Sequence, residues 1–272
     1  MEHKLNGEIV IVTGGAGMLG RQYMKAIKEI GGLPVSLDLN ISPEGISLTC
    51  DITNEDSLLN AYNQIRKTLI PPIYGLINNA AIDPKFDQSA GETPKSRLEV
   101  FPLEQWNKEL AVGLTGAFLC TKIFGAEMVR YGRGSIINIS SVLGHVAPNQ
   151  ALYKKDQQLV DYGKHGLHLE PQDEKQPVKP VTYSAIKHAI IGLTRYTATY
   201  WADKGVRCNA ISPGGVFNGH SDDFVQRLSK YIPLGRMARK DEYNAAVQFL
   251  LTDASSFMTG SVLQIDGGQT TW

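Results

Sequence analysis

Residues 8–20 read EIVIVTGGAGMLG, and the fold is decided there. Glu8–Thr13 is a short β-branched run of the kind that forms a strand buried on both faces. Met18–Ile30 reads as a helix. Glycines at such a strand-to-helix turn permit a tight bend, let backbone approach a pyrophosphate, and allow close helix–strand packing. The free amides and dipole of the helix start favour an anion at the same place. Gly14, Gly17, Met18, Leu19 and Gly20 are therefore candidate nucleotide-binding residues. A glycine loop by itself is equally a plain turn, but a preceding strand and a following helix are the context a dinucleotide site requires.

Outward from this point, strands and helices alternate. Leu33–Leu37 and Ile46–Leu48 read as the second and third strands. Asn54 caps a helix on which Leu58, Leu59, Tyr62, Ile65 and Leu69 recur at helical spacing. Gly75–Ile77 is a fourth strand ending in Asn78-Asn79-Ala80-Ala81. A long helix is expected from Leu103 to about Arg130, a fifth strand at Ser135–Ile139, and a second long helix from Tyr183 to about Asp203. Val206–Ile211 and Val262–Ile265 are the last strands, with a helix from about Asp241 to Leu251 between them. The pattern predicts an α/β fold, a parallel sheet of about seven strands covered by helices on both faces. Ligands in such sheets bind beyond the carboxyl ends of the strands. One sheet continues through residues 1–272, so a single domain is expected. Two stretches interrupt the rhythm, Ile82–Pro102 and an insertion at about 144–180; irregular stretches this long are functional lids or disordered.

The chain of 272 residues is 42% hydrophobic and balances 27 basic against 27 acidic residues. A sizeable core is affordable, and neither a nucleic acid nor a membrane is indicated as a partner. No apolar run of bilayer-spanning length stands out, and the N-terminus has no signal-peptide pattern. Cys50, Cys120 and Cys208 are scattered in apolar surroundings, which fits buried thiols in a reducing compartment; the cytoplasm is expected. His165 and His168 lack a third ligand, so no metal is expected.

The second strand ends at Asp38, where a carboxylate accepts both ribose hydroxyls of an adenosine and repels a 2′-phosphate. No Arg or Lys lies in the glycine loop or among Asp38–Asn40. Both points favour NAD over NADP. Asp51, followed by Ile52, comes after the third strand and either holds the adenine amino group or starts the next helix. Residues 183–187 read Tyr-Ser-Ala-Ile-Lys. On a helix, Tyr183 and Lys187 share a face. A phenol titrates near pH ~10, and a nearby ammonium lowers that value by favouring the phenolate. The pair suits proton transfer between an alcohol and a carbonyl.

Taken in order, the glycine loop, Asn78-Asn79-Ala80-Ala81, Ser140-Ser141, Tyr183 with Lys187, Pro213-Gly214 and Asp266-Gly267-Gly268 resemble the short-chain dehydrogenases/reductases over nearly the whole chain. The resemblance implies a Rossmann-like, doubly wound sheet and an NAD-dependent oxidoreductase interconverting a secondary alcohol and a ketone. It implies Tyr183 as the acid–base, Lys187 as the group that tunes it and holds the nicotinamide ribose, and Ser141 as the group that polarises the substrate oxygen. Asn79, Ala80 and Ala81 would border the adenosine ribose; Pro213, Gly214 and Val216 would line the nicotinamide. It also implies a homodimer or homotetramer through the two long helices, although Ile186, Ala189, Ile190 and Leu193 could equally face the sheet.

Three departures qualify the match. Met18 stands where the compact branch has glycine, and the spacing Gly14, Gly17, Gly20 resembles the branch acting on nucleotide sugars. Gly113 stands where the family has an asparagine that helps hold a relay water; Asn107 and Asn138 are near it in sequence. Ser141 and Tyr183 lie 42 residues apart, with Tyr153, Lys154, Lys155, His165, His168, Glu170 and Lys175 between them. Those polar groups suit a hydroxyl-rich or phosphorylated substrate, a sugar or nucleotide-sugar. Tyr153 stands at the family's usual distance from Ser141, but residue 157 is glutamine, so Tyr153 is rejected as the acid–base. Segments 213–218 and 231–238 resemble dehydrogenases of bacterial surface or flagellar glycan pathways. The competing readings are a sugar epimerase or dehydratase that retains its NAD, and a catalytically silent NAD-binding module.

Overall fold

In the computed structural model, which describes residues 4–82, 95–153 and 178–272, successive side chains of the first strand, β1 (Ile9–Thr13), enter opposite cores. Ile9 and Ile11 pack with one cluster and Val10 and Val12 with another, as the two-residue period of a strand requires. All four are fully buried, each worth about 1.5–3 kcal/mol of apolar burial. The remaining strands are β2 (Leu33–Asp38), β3 (Ile46–Thr49), β4 (Ile73–Asn78), β5 (Gly134–Ile139), β6 (Val206–Pro213) and β7 (Val262–Ile265). They form one sheet in the order β3-β2-β1-β4-β5-β6-β7, parallel at every pairing. This is the expected doubly wound arrangement. Strand order reverses between β1 and β4, which opens a crevice at their carboxyl ends.

The core on the Ile9/Ile11 side is closed by α2 (Glu55–Thr68), α3 (Leu103–Tyr131) and α4 (Val181–Tyr200), and that on the Val10/Val12 side by α1 (Met18–Glu29) and α6 (Asn244–Leu251). Asn54 caps α2 as expected, its side chain accepting from Ser57 N. Leu59, assigned to the apolar stripe of α2, is 40% exposed; Leu58, Ala61 and Ile65 form the buried face. α4 begins two residues before Tyr183. α6 begins three residues later than its pattern suggests, because Glu242 is held by Arg236 and by the backbone N–H of Arg239 and residues 241–243 stay a turn. A short α5 (Asp222–Ser229), capped by Ser221, had no counterpart in the sequence reading.

α3 contains two π-helical turns, Ala111–Thr115 and Thr121–Gly125. By length and composition it is apolar enough to cross a bilayer, contrary to the expectation that no such segment exists, but 56% of its apolar window is buried inside the protein. Part of that burial is against α4. Ile186 and Ile190 of α4 form a cluster with Ala117, Leu110 and Leu114 of α3, so these residues pack against α3 within the chain. Of the two irregular stretches, residues 83–94 and 154–177 lie outside the described residues, and with them Lys154, Lys155, His165, His168, Glu170 and Lys175.

Candidate active site

The glycine loop is pressed so tightly into the crevice that side chains are excluded. Gly14 has φ +67°, and a Cβ there would stand 2.9 Å from Ala80 Cα. A Cβ on Gly20 would stand 2.1 Å from the Gly14 carbonyl oxygen, so helix α1 can start against the loop only with glycine at that position. Gly15, which the motif spacing did not single out, meets Ser36 of β2 just as closely. Gly17 is the N-cap residue of α1, with Met18 and Leu19 as its first two residues. Leu19 packs into the α1 side of the core.

Asn79 staples the loop across the switch point. Its Nδ2 donates to the Thr13 and Gly14 carbonyls at 3.0 and 3.2 Å. Its backbone N–H and that of Ala80 donate to Thr13 Oγ1. Ala81 is exposed. Asp38 ends β2 beside the loop, where Oδ2 accepts from Ala16 N at 3.0 Å and Oδ1 from Asn40 N at 2.9 Å. A carboxylate offers about four acceptor positions, so capacity remains for a ligand's hydroxyls. Arg21, outside the loop in sequence, reaches the Ala16 carbonyl at 2.8 Å. Asp51 Oδ1 accepts from the Thr53 backbone and hydroxyl, which ties the turn before α2. Ile52 is buried against Gly116 of α3, so its side chain faces the core and only its backbone is left for a ligand.

At the carboxyl end of β5, two hydrogen bonds run in opposite directions between strand and helix. Lys187 Nζ donates to the Ile139 carbonyl at 2.8 Å, and Ser140 Oγ donates to the Lys187 carbonyl at 2.8 Å. A hydrogen bond involving a charged group is worth about 1.5–3 kcal/mol. Ser141 follows directly and caps the 3-10 turn Val142–Gly144, its Oγ accepting from Leu143 N at 3.2 Å. That turn lies so close to α4 that a Cβ on Gly144 would stand 2.7 Å from the Lys187 carbonyl oxygen. Lys187 Nζ is 5.6 Å from the centre of the Tyr183 ring. Lys187 thus joins the strand end that leads into Ser141 to the helix that carries Tyr183, despite the long detour of chain between them. Ser141 and Lys187 are buried and Tyr183 is partly open.

Pro213 ends β6. Gly214 N donates to the Ile265 carbonyl, and Val216 pairs with Ala238. Asp266 holds its own glycine turn through Gly268 N and Thr270. His145, not singled out by the sequence, meets Ser212 Oγ at 3.0 Å. Burial, aided by the charges of His188 and Arg195, pushes its imidazole below the usual histidine range. Among the described residues no group of three His, Cys, Asp or Glu could hold a metal.

Gly113 has a packing reason. A Cβ there would stand 2.8 Å from Ile186 Cγ2, so glycine lets α3 approach α4. Asn107 is exposed. Asn138 is fully buried between Asn78 and Thr194.

A family profile described as "short chain dehydrogenase" matches residues 8–154. The chain belongs to the short-chain dehydrogenases. A second profile, described as enoyl-(acyl carrier protein) reductase, matches residues 174–270 of this short-chain dehydrogenase. The protein is 28% identical to an NAD-dependent glycerol dehydrogenase of Listeria innocua over 99% of this chain and 96% of that one. It is also 28% identical to a D-threitol dehydrogenase of Mycolicibacterium smegmatis, over 99% and 95%. A short-chain dehydrogenase of Leptospira borgpetersenii, solved with bound NAD+, superposes with a TM-score of 0.81 at 27% identity, covering 99% of this chain and 95% of that one. As a short-chain dehydrogenase, the protein is an oxidoreductase that uses a nicotinamide dinucleotide.

Proposed function

We propose that this short-chain dehydrogenase interconverts a secondary alcohol and a ketone on a small hydroxyl-rich substrate of the sugar or polyol class, with NAD(H). One observation carries the reading: Lys187, whose Nζ is 5.6 Å from the Tyr183 ring centre, is hydrogen-bonded to Ile139 and Ser140, the two residues immediately before Ser141. In this reading Tyr183 gives or takes the proton of the reacting oxygen, as a general acid–base must within hydrogen-bond reach. Lys187 stabilises the phenolate and holds the nicotinamide ribose. Ser141 donates to the substrate oxygen. The bound nicotinamide supplies the hydride acceptor or donor, and the protein's task is chiefly to position it. Gly14, Gly17 and Gly20 would admit the pyrophosphate to the start of α1, with Met18 and Leu19 beside it. Asp38 would take the adenosine ribose hydroxyls. The Asp51 carboxylate and the Ile52 backbone would meet the adenine. Asn79, Ala80 and Ala81 would border that ribose, and Pro213, Gly214 and Val216 would line the nicotinamide.

The polyol names of the two curated relatives support the substrate class. Asp38 supports NAD over NADP, while Arg21 beside the same loop works the other way. A dimer or tetramer is proposed as well. Phe118 on α3 and the stacked Tyr196 and Tyr200 on α4 are exposed and suit a contact between copies. The three free, buried thiols suit a cytoplasmic protein.

The test is absorbance of reduced nicotinamide on incubation with NAD, or with NADP, and a panel including glycerol, D-threitol and pentitols. Turnover is expected with NAD and a panel member. Tyr183→Phe is expected to keep NAD affinity and lose about 10²–10⁴-fold in kcat. Turnover that survives this substitution unchanged overturns the mechanism.

A further inference from the structure

We propose that Lys179 is a second positive charge that tunes the acid–base phenol of Tyr183, acting beside Lys187; the proposal rests on the reading of Tyr183 just given. Lys179 precedes the helix, separated from it by Pro180, the N-cap residue of α4. Its Nζ stands 3.9 Å from the centre of the Tyr183 ring, whereas Lys187 Nζ stands at 5.6 Å. An ammonium over a tyrosine face is attracted to the neutral ring and still more to the phenolate, whose charge spreads into that ring. An opposite charge within ~4–6 Å lowers the pKa of the group that becomes charged by about 1–3 units.

The backbone that carries Lys179 is fixed from two sides. Gln150 accepts from Lys179 N at 2.9 Å and donates to the Lys179 carbonyl at 3.3 Å. Val178 N donates to Ser96 Oγ at 3.2 Å. The approach of Lys179 to the ring is therefore built by three separate segments of chain.

Other charged and titratable groups lie on the elements packed near Tyr183. Lys187 lies on the same helix and is hydrogen-bonded to Ile139. Glu109 of α3 is bonded to Thr182. Arg97, on the segment joined to Val178, is paired with Glu99 at 2.5 Å; Lys95 lies on the same segment. His145, on the turn after β5, is engaged with Ser212. Lys187 also has the cofactor ribose to hold, so a second cation lets the phenol remain tuned while Lys187 does so.

A titration that needs no substrate decides the matter. Tyrosine labelled with 13C at Cζ gives a resonance for Tyr183, assigned by its loss in Tyr183→Phe, and its shift with pH reports the phenol directly. Lys179→Met is expected to raise the Tyr183 titration midpoint by about one unit. Lys179→Arg, which keeps the charge, is expected to stay within about 0.3 unit of wild type. Lys179→Gln serves as the second neutral variant if Lys179→Met lowers the melting temperature. Wild type, Lys179→Arg and the neutral variants titrating together overturn the proposal. That result leaves the role of Tyr183 standing if Tyr183→Phe still abolishes turnover, so the two failures are told apart.

Discussion

The buried Glu109 carboxylate on α3 accepts a hydrogen bond from the hydroxyl of Thr182, the residue immediately before Tyr183, and a second from Gln105 at 2.6 Å. One turn further along both helices, Gly113 faces Ile186, the residue immediately before Lys187. Helices α3 and α4 therefore meet in matched steps of four residues. Each contact lies next to one member of the proposed Tyr–Lys pair.

Thr182→Val removes a donor from a buried carboxylate, which costs about 1.5–3 kcal/mol. Urea denaturation should show a loss of that size, and kcat should fall as Tyr183 loses its anchor. A stability change below about 0.5 kcal/mol, the ordinary range for an unremarkable surface change, would mean that the contact does not hold α4 in place.

Restoring the family's asparagine with Gly113→Asn should fail to raise turnover. The new side chain meets Ile186 at under van der Waals distance, and overpacking of this kind costs about 1–3 kcal/mol. Ile186→Ala should recover part of the loss in the double variant, giving a coupling of at least about 0.5 kcal/mol in the cycle. Additive effects would separate the two residues.

Glu242 is held by both terminal nitrogens of Arg236 at 2.7 and 2.6 Å and by Arg239 N. These hydrogen bonds depress its carboxyl to about 2. A depressed carboxyl contributes stability that is present above the unfolded value, about 4.3, and is lost as pH falls through the folded value. Melting temperature should therefore drop between about pH 4 and pH 2 more steeply in wild type than in Glu242→Gln. The pair is solvent-screened, so the difference should shrink with added salt. Parallel curves for the two proteins would exclude the linkage.

Much of the architecture was legible because it is written in short-range periods. The β-branched run Ile9–Thr13, the Asn54 cap and the glycine loop each declare themselves within a few residues. The four-residue spacing of Tyr183 and Lys187 does so too. The places where the reading slipped are those where distant packing prevailed. Leu59 points outward because Leu58, Ala61 and Ile65 already fill the α2 face.

By itself, then, the amino-acid sequence determined the doubly wound sheet, and it named the glycine loop and the Tyr–Lys pair on which the proposed function rests. Only the tertiary structure decided that Ser140 meets Lys187 across the insertion, that Glu109 holds Thr182, and that Lys179 lies over the Tyr183 ring. The physical reason is range. A strand or helix pattern depends on neighbours two to four positions away, whereas these contacts join residues whose separation along the chain says nothing of their distance until sheet and helices have packed.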